Sequence, residues 1–79
     1  AVRKAYVQLV EKRGTRMIKM ASLVEITGLP QKEVSQYLQT ACAEHTANPL
    51  RGEPTMLTPA ERSCFFEIDG QPYHYVELL

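Results

Sequence analysis

Four side chains of this sequence are of the types that hold metals or attack bonds: Cys42, His45, Cys64 and His74. Cys42 and His45 have the spacing of a short Cys-x2-His zinc arm. Cys64 and His74 flank a turn signal, where a thiol and an imidazole on facing strands can act as nucleophile and base. Neither arrangement is completed. Only the first arm has metal spacing, both its residues fall on the apolar stripe of a helix, and His45 also suits the negative end of that helix. Nothing around Cys64 and His74 builds a pocket or an oxyanion hole. The cysteines therefore read as free buried thiols, because an intracellular compartment keeps thiols reduced and one disulfide is too little for a scaffold. No metal, no cofactor and no enzymatic activity is expected.

A second constellation is polar. In "QKEVSQYLQ", Gln31, Lys32, Ser35, Gln36 and Gln39 lie opposite the apolar residues of one helix. Glutamine pairs bidentately with adenine, lysine reaches guanine acceptors, and serine suits base edges or phosphate. Arg13, Arg16 and Lys19 precede them and can make positioning contacts to a phosphate backbone. Thr40 lies too near the helix end to assign.

These residues need elements to position them. Val2, Ala5, Tyr6, Leu9 and Val10 repeat at helical spacing, which predicts a first helix over residues 2–13 ended by Gly14. "RMIKM" reads as a brief extended segment. Ala21 to Thr27 is a short helix burying Leu23 and Val24, with Gly28 as the left-handed residue at its end and Leu29 plugging the core. Pro30 suits the first position of the next helix. There Val34, Leu38, Ala41, Cys42 and His45 form the apolar stripe, so residues 21–45 make two helices joined by a tight turn.

Beyond residue 45 the pattern changes. Three prolines and a glycine make residues 46–62 mostly irregular, although Thr58, Pro59 and Glu61 match a capping box and predict one helical turn. Asp69-Gly70 between two β-prone runs predicts a hairpin over residues 63–78. Pro72 cannot donate to a ladder, so its nitrogen must face outward or the loop must be wider than two residues. Alternation puts Cys64, Phe66 and Ile68 on one face, Phe65 and Glu67 on the other.

Composition bounds the possibilities. Seventy-nine residues, 44% apolar and 23% charged, fit one folded domain with a modest core. No apolar run approaches a membrane span and no secretory segment is present, so an intracellular protein, cytoplasmic or nuclear, without membrane partners is expected. A start at Ala1 fits a processed protein or a domain cut from a longer one. Charge is uneven: residues 1–20 carry six cations against Glu11 alone, a net of +5, and residues 21–79 a net of −5. The basic segment attracts phosphates, and the remainder repels them.

The order helix, short strand, helix, glycine turn, helix, hairpin resembles the winged helix-turn-helix family. The resemblance rests on "LVEITGLPQKEVSQYLQ", where Leu23, Gly28, Leu29, Val34 and Leu38 fall where such domains place core residues around their turn. It implies an α+β fold of three helices and a C-terminal β-hairpin wing, spanning residues 1–79 as a single domain. It also implies a DNA-binding domain of a transcription regulator that lays its third helix in the major groove, two-fold dimers supplying affinity. The alternative is a winged helix that serves protein interaction within a larger assembly. Helix 3 has one cation and Glu33, and the wing tip carries Glu67 and Asp69, which phosphates repel. The rings of Phe65, Tyr73 and Tyr75 offer a partner-binding surface instead.

Overall fold

The first helix, α1 (Val2–Arg13), opens a computed structural model that describes residues 1–52 and 54–79. Its buried residues Val2, Ala5, Tyr6 and Leu9 recur three and four apart, which commits one face to the core. Gly14 then turns left-handed at φ 70° and donates its N–H to the Val10 carbonyl at 2.8 Å. The buried Tyr6 hydroxyl donates to the Arg16 carbonyl at 2.7 Å, tying the following loop to the helix. Two extended residues, β1 (Ile18–Lys19), lead into α2 (Met20–Thr27), which buries Met20, Ser22 and Leu23.

The turn after α2 is built from backbone and one hydroxyl. Gly28 has φ 69°, a region where a Cβ crowds the following carbonyl. Its N–H reaches the Val24 carbonyl at 3.0 Å. The Thr27 hydroxyl donates to the Leu23 carbonyl at 2.6 Å and accepts the Leu29 N–H at 3.3 Å, so helix-end groups find partners. Leu29 is half-buried against the core. Pro30 is extended and lies one residue before α3 (Gln31–Ala43), its carbonyl accepting from Glu33 and Val34.

α3 ends differently from the stripe expected of it. His45 is exposed and left-handed at φ 61°, not buried beside Cys42. Its N–H bonds to the Cys42 carbonyl and that of Thr46 to the Ala41 carbonyl, a Schellman end with histidine in the position glycine usually takes. The helical period stops at Ala43, so the stripe cannot be extended to residue 45.

Residues 46–62 are less irregular than expected. They contain β2 (Ala47–Leu50), a 3-10 turn at Pro54–Met56, and α4 (Pro59–Arg62) with the expected capping box. The part of that expectation falling on residue 53 lies outside the described residues. β2 tolerates Pro49 because it is an edge strand.

The single hairpin expected over residues 63–78 is also divided. β3 (Phe66–Ile68) and β4 (Gln71–Tyr73) pair antiparallel around Asp69 (φ 53°) and Gly70 (φ 80°), the two positive φ values a type I′ turn requires. Ile68 faces Gln71 and Glu67 faces Pro72, so alternation puts Pro72 at a pair that exchanges no hydrogen bonds. Its missing N–H costs the ladder nothing. β5 (Tyr75–Leu78) then leaves the hairpin and becomes the centre of an antiparallel sheet of order β1-β5-β2. Ile18 and Pro49 both lie opposite Val76, one from each side.

One core joins these layers. Ile18, Met20, Leu23, Val34 and Leu38 meet Val76 and Leu78 of the central strand, all at most 1% exposed. Phe66, also 1% exposed, roots the hairpin in that core. The result is a small compact α+β arrangement of helices on an antiparallel sheet, with a Cα radius of gyration of 11.3 Å.

Candidate nucleic-acid interface

Besides one side with exposed Glu33 and Tyr37, α3 presents three distinct faces. Val34, Leu38 and Ala41 enter the core. The flank beside them, at four-residue spacing, holds Gln31, Ser35 and Gln39, and it meets the segment between β2 and β5. The Gln31 side-chain amide donates to the Ser63 carbonyl at 3.2 Å, and that of Gln39 donates to the Glu67 carbonyl at 2.9 Å. Ser35 and Gln39 are half-buried. The third face points outward with Lys32, Gln36 and Thr40 exposed, and among the described residues these three side chains make no hydrogen bond.

The eight candidate residues are therefore not equivalent. Lys32 and Gln36 stand together on the open face. Gln31 and Gln39 hold the hairpin segment along the helix, each satisfying a backbone carbonyl. Arg13 is exposed at the end of α1 and lines a cleft with Glu25 and Gln31. Arg16 pairs with Glu77 at 3.0 Å and donates to the Leu78 carbonyl at 2.9 Å. Lys19, half-buried, pairs with Glu61 at 3.0 Å. Two of the three candidate cations preceding α3 are thus compensated by acids 61 and 42 residues further along the chain. Thr40, unassigned from sequence, joins the open face because α3 continues three residues past it.

Glu61 is the junction of two devices. Its carboxylate accepts the Thr58 N–H at 2.9 Å in the capping box and faces Lys19 across the sequence. The Thr58 backbone hydrogen bond, with help from Lys19, holds this carboxyl below the usual carboxylate range.

The cysteine and histidine candidates are dispersed by the fold. His74 lies at Nε2 2.9 Å from the Arg62 carbonyl, and its ring tilts against Phe65 at 6.0 Å. Cys64 is buried and Cys42 half-buried, and burial pushes both thiols up, opposite to the shift that activates a nucleophilic cysteine. Among the described residues no group of three His, Cys, Asp or Glu side chains is arranged to hold a metal. No helix among them is long and apolar enough to cross a membrane.

The aromatic surface expected on the hairpin is reduced. Tyr75 is buried, and Gly52 lies so close to its ring that a Cβ there would overlap it. Tyr73 is half-buried against Phe66 at 6.0 Å, with the Arg51 guanidinium 5.8 Å from its ring centre. Phe65 is half-buried. Glu67, Asp69, Gly70, Gln71 and Pro72 are exposed around the turn, and the two charged ones are acidic. Comparison with protein-family models, curated proteins and solved structures finds no significant match.

Proposed function

We propose that this chain is a winged helix-turn-helix domain that binds double-stranded DNA for a transcription regulator, with α3 in the major groove. The observation that carries the reading is the open face of α3, where Lys32, Gln36 and Thr40 stand exposed with no hydrogen-bond partner among the described residues. Polar side chains left unpaired on a rigid helix are what direct readout uses: Gln36 pairs with adenine and Lys32 with guanine acceptors. Supporting the fold half of the proposal are the α2–Gly28–α3 pair and the β1-β5-β2 sheet beneath it. In this reading β2 and β5 are the wing strands. The described residues between them, 51–52 and 54–74, are an enlarged wing, which Gln31 and Gln39 fasten along one flank of α3.

The electrostatics set the expected strength. Lys32 and Arg13 are exposed near the amino end of α3, whereas Arg16 and Lys19 are compensated. These two exposed cations give about two phosphate contacts per domain and a logarithmic salt slope of about −2, a shallow dependence. Selection of binding sites from random duplexes at low salt tests the proposal. An enriched site is expected, with preference at one or two of its positions relaxed by Gln36→Ala and non-specific affinity nearly unchanged. Arg13→Ala should weaken all sequences alike. Absence of enrichment, or a selected site that Gln36→Ala and Lys32→Ala together leave unaltered, overturns it.

A further inference from the structure

We propose that the cleft between α2 and α4 binds a small zwitterion, an α-amino acid with an aliphatic side chain. The cleft measures about 490 Å³, within the range of small-molecule sites. Ser22 is the residue that points to a ligand there. It is only 9% exposed, yet among the described residues its hydroxyl makes no hydrogen bond. Hydroxyls inside helices commonly bond the carbonyl four residues back, as Thr27 does with Leu23, and Ser22 does not. Among the same residues no fully enclosed side-chain polar atom lacks a partner, so the Ser22 hydroxyl opens into the cleft that it lines.

The charges around Ser22 select the ligand. Glu25 lies three residues further along α2 and shares its side of the helix, and Arg13 reaches the same place from the end of α1. Both are exposed, and among the described residues neither is in an ion pair. The other polar side chains of the lining are engaged. Glu61 is matched by Lys19 at 3.0 Å, and the Thr58 hydroxyl accepts the Glu61 N–H. Gln31 donates to the Ser63 carbonyl, and the Ser63 hydroxyl donates to that of Ala60. Lys12 borders only the continuation of the cleft between α1 and α2.

One free cation and one free anion thus flank one free hydroxyl. A simple anion at Ser22 meets repulsion from Glu25, and a simple cation meets repulsion from Arg13. A molecule with both charges close together satisfies all three groups, its carboxylate on Arg13 and the Ser22 hydroxyl and its ammonium on Glu25. Half-buried Ala21 and Val24, with the buried Cys64, supply the apolar wall for an aliphatic side chain. Because Arg13 and Glu25 are exposed to solvent, binding is weak, with a dissociation constant of about 1 mM. The proposal stands apart from DNA binding and is tested without a duplex.

Amide chemical-shift titration of the full chain with L-leucine reads the dissociation constant and the place of binding. Saturable shifts are expected at Arg13, Ser22 and Glu25. 4-Methylpentanoate lacks the ammonium and isopentylamine lacks the carboxylate, and each should bind at least about fivefold more weakly than leucine. R13Q and E25Q should each weaken leucine by a similar factor, and E25Q should narrow the gap between leucine and 4-methylpentanoate. Ser22→Ala should weaken leucine about threefold while melting no lower than the wild type, since its hydroxyl has no internal partner to lose. Absence of saturable shifts up to about 50 mM leucine overturns the proposal. So do shifts that saturate elsewhere, analogues that bind as leucine does, or R13Q and E25Q chains that bind leucine unchanged. A Ser22→Ala chain that melts below the wild type and binds leucine equally well shows a hydroxyl bonded internally and overturns it too.

Discussion

Two glycines of this chain are required for opposite reasons, and substitution separates them. Gly28 adopts φ 69°, and a Cβ built there meets nothing within 4 Å. The cost of a side chain at Gly28 is therefore backbone strain alone, about 1–2 kcal/mol for alanine and at least that for valine, whose branching narrows the choice further. Asparagine tolerates the left-handed region and should cost well under 1 kcal/mol. Gly52 is the reverse case: a Cβ overlaps the ring of the buried Tyr75, so any side chain must displace that ring, at about 1–3 kcal/mol. Asparagine gives no relief at Gly52. In a domain of this size each kcal/mol lowers the melting temperature by about 4–8 °C. Thermal unfolding of Gly28→Ala, Gly28→Asn, Gly28→Val, Gly52→Ala and Gly52→Asn is the assay. At position 28 the midpoint should recover from alanine to asparagine, and at position 52 it should fall further. If Gly28→Val melts with the wild type, or Gly28→Asn melts no higher than Gly28→Ala, the left-handed turn between α2 and α3 is refuted as the reason for this glycine.

Phe66→Ala should destabilise the domain by about 3–5 kcal/mol, because a ring 1% exposed roots the hairpin in the core. Chemical denaturation measures it, and a loss below about 1 kcal/mol contradicts that role. Glu61 has a carboxyl whose folded value lies below its ordinary 4.5, so its contribution is present above that value and is lost as pH falls through the folded value. E61Q keeps a capping side chain but not the charge facing Lys19. Its melting temperature should trail the wild type at neutral pH and converge with it in acid, and a difference that grows in acid contradicts the assignment. Asp69→Lys, at an exposed hairpin turn, should tighten DNA binding at low salt by removing a repulsion and adding an attraction. Fluorescence anisotropy on a duplex reads that gain, and unchanged affinity counts against the hairpin lying near phosphates.

The parts of the fold legible in the sequence are those fixed by local periodicity and local backbone chemistry. Val2, Ala5, Tyr6 and Leu9 mark α1 by spacing, Gly28 and Pro30 bracket the turn, Thr58 with Glu61 caps α4, and Asp69-Gly70 turns the hairpin. What was not legible depends on partners far along the chain. β2 contains Pro49 and has no strand pattern of its own, and it becomes a strand because β5 supplies the ladder. β5 continues the alternation of the hairpin without a break in the sequence, yet it pairs with β1 and β2 because the sheet between them needs a centre. His45 fits the apolar period arithmetically, but the backbone has already turned left-handed when the chain reaches it. In the candidate site, Lys32 and Gln36 were readable from the helix wheel. The bonds of Gln31 and Gln39 to the hairpin were not, nor were the ion pairs of Arg16 and Lys19, since their partners are at least 28 residues away. The four-residue spacing of Gln31, Ser35 and Gln39 was the one local sign that this flank is a separate face.

The central claim is that the outward face of α3 contacts DNA, and amide chemical-shift mapping during titration with a short duplex tests it most directly. The account predicts shifts concentrated at Lys32, Gln36 and Thr40 and at the end of α1 near Arg13, with Val7 and the middle of α1 unmoved. Shifts confined to the hairpin or to α1, with Lys32, Gln36 and Thr40 unperturbed at saturating duplex, would contradict it.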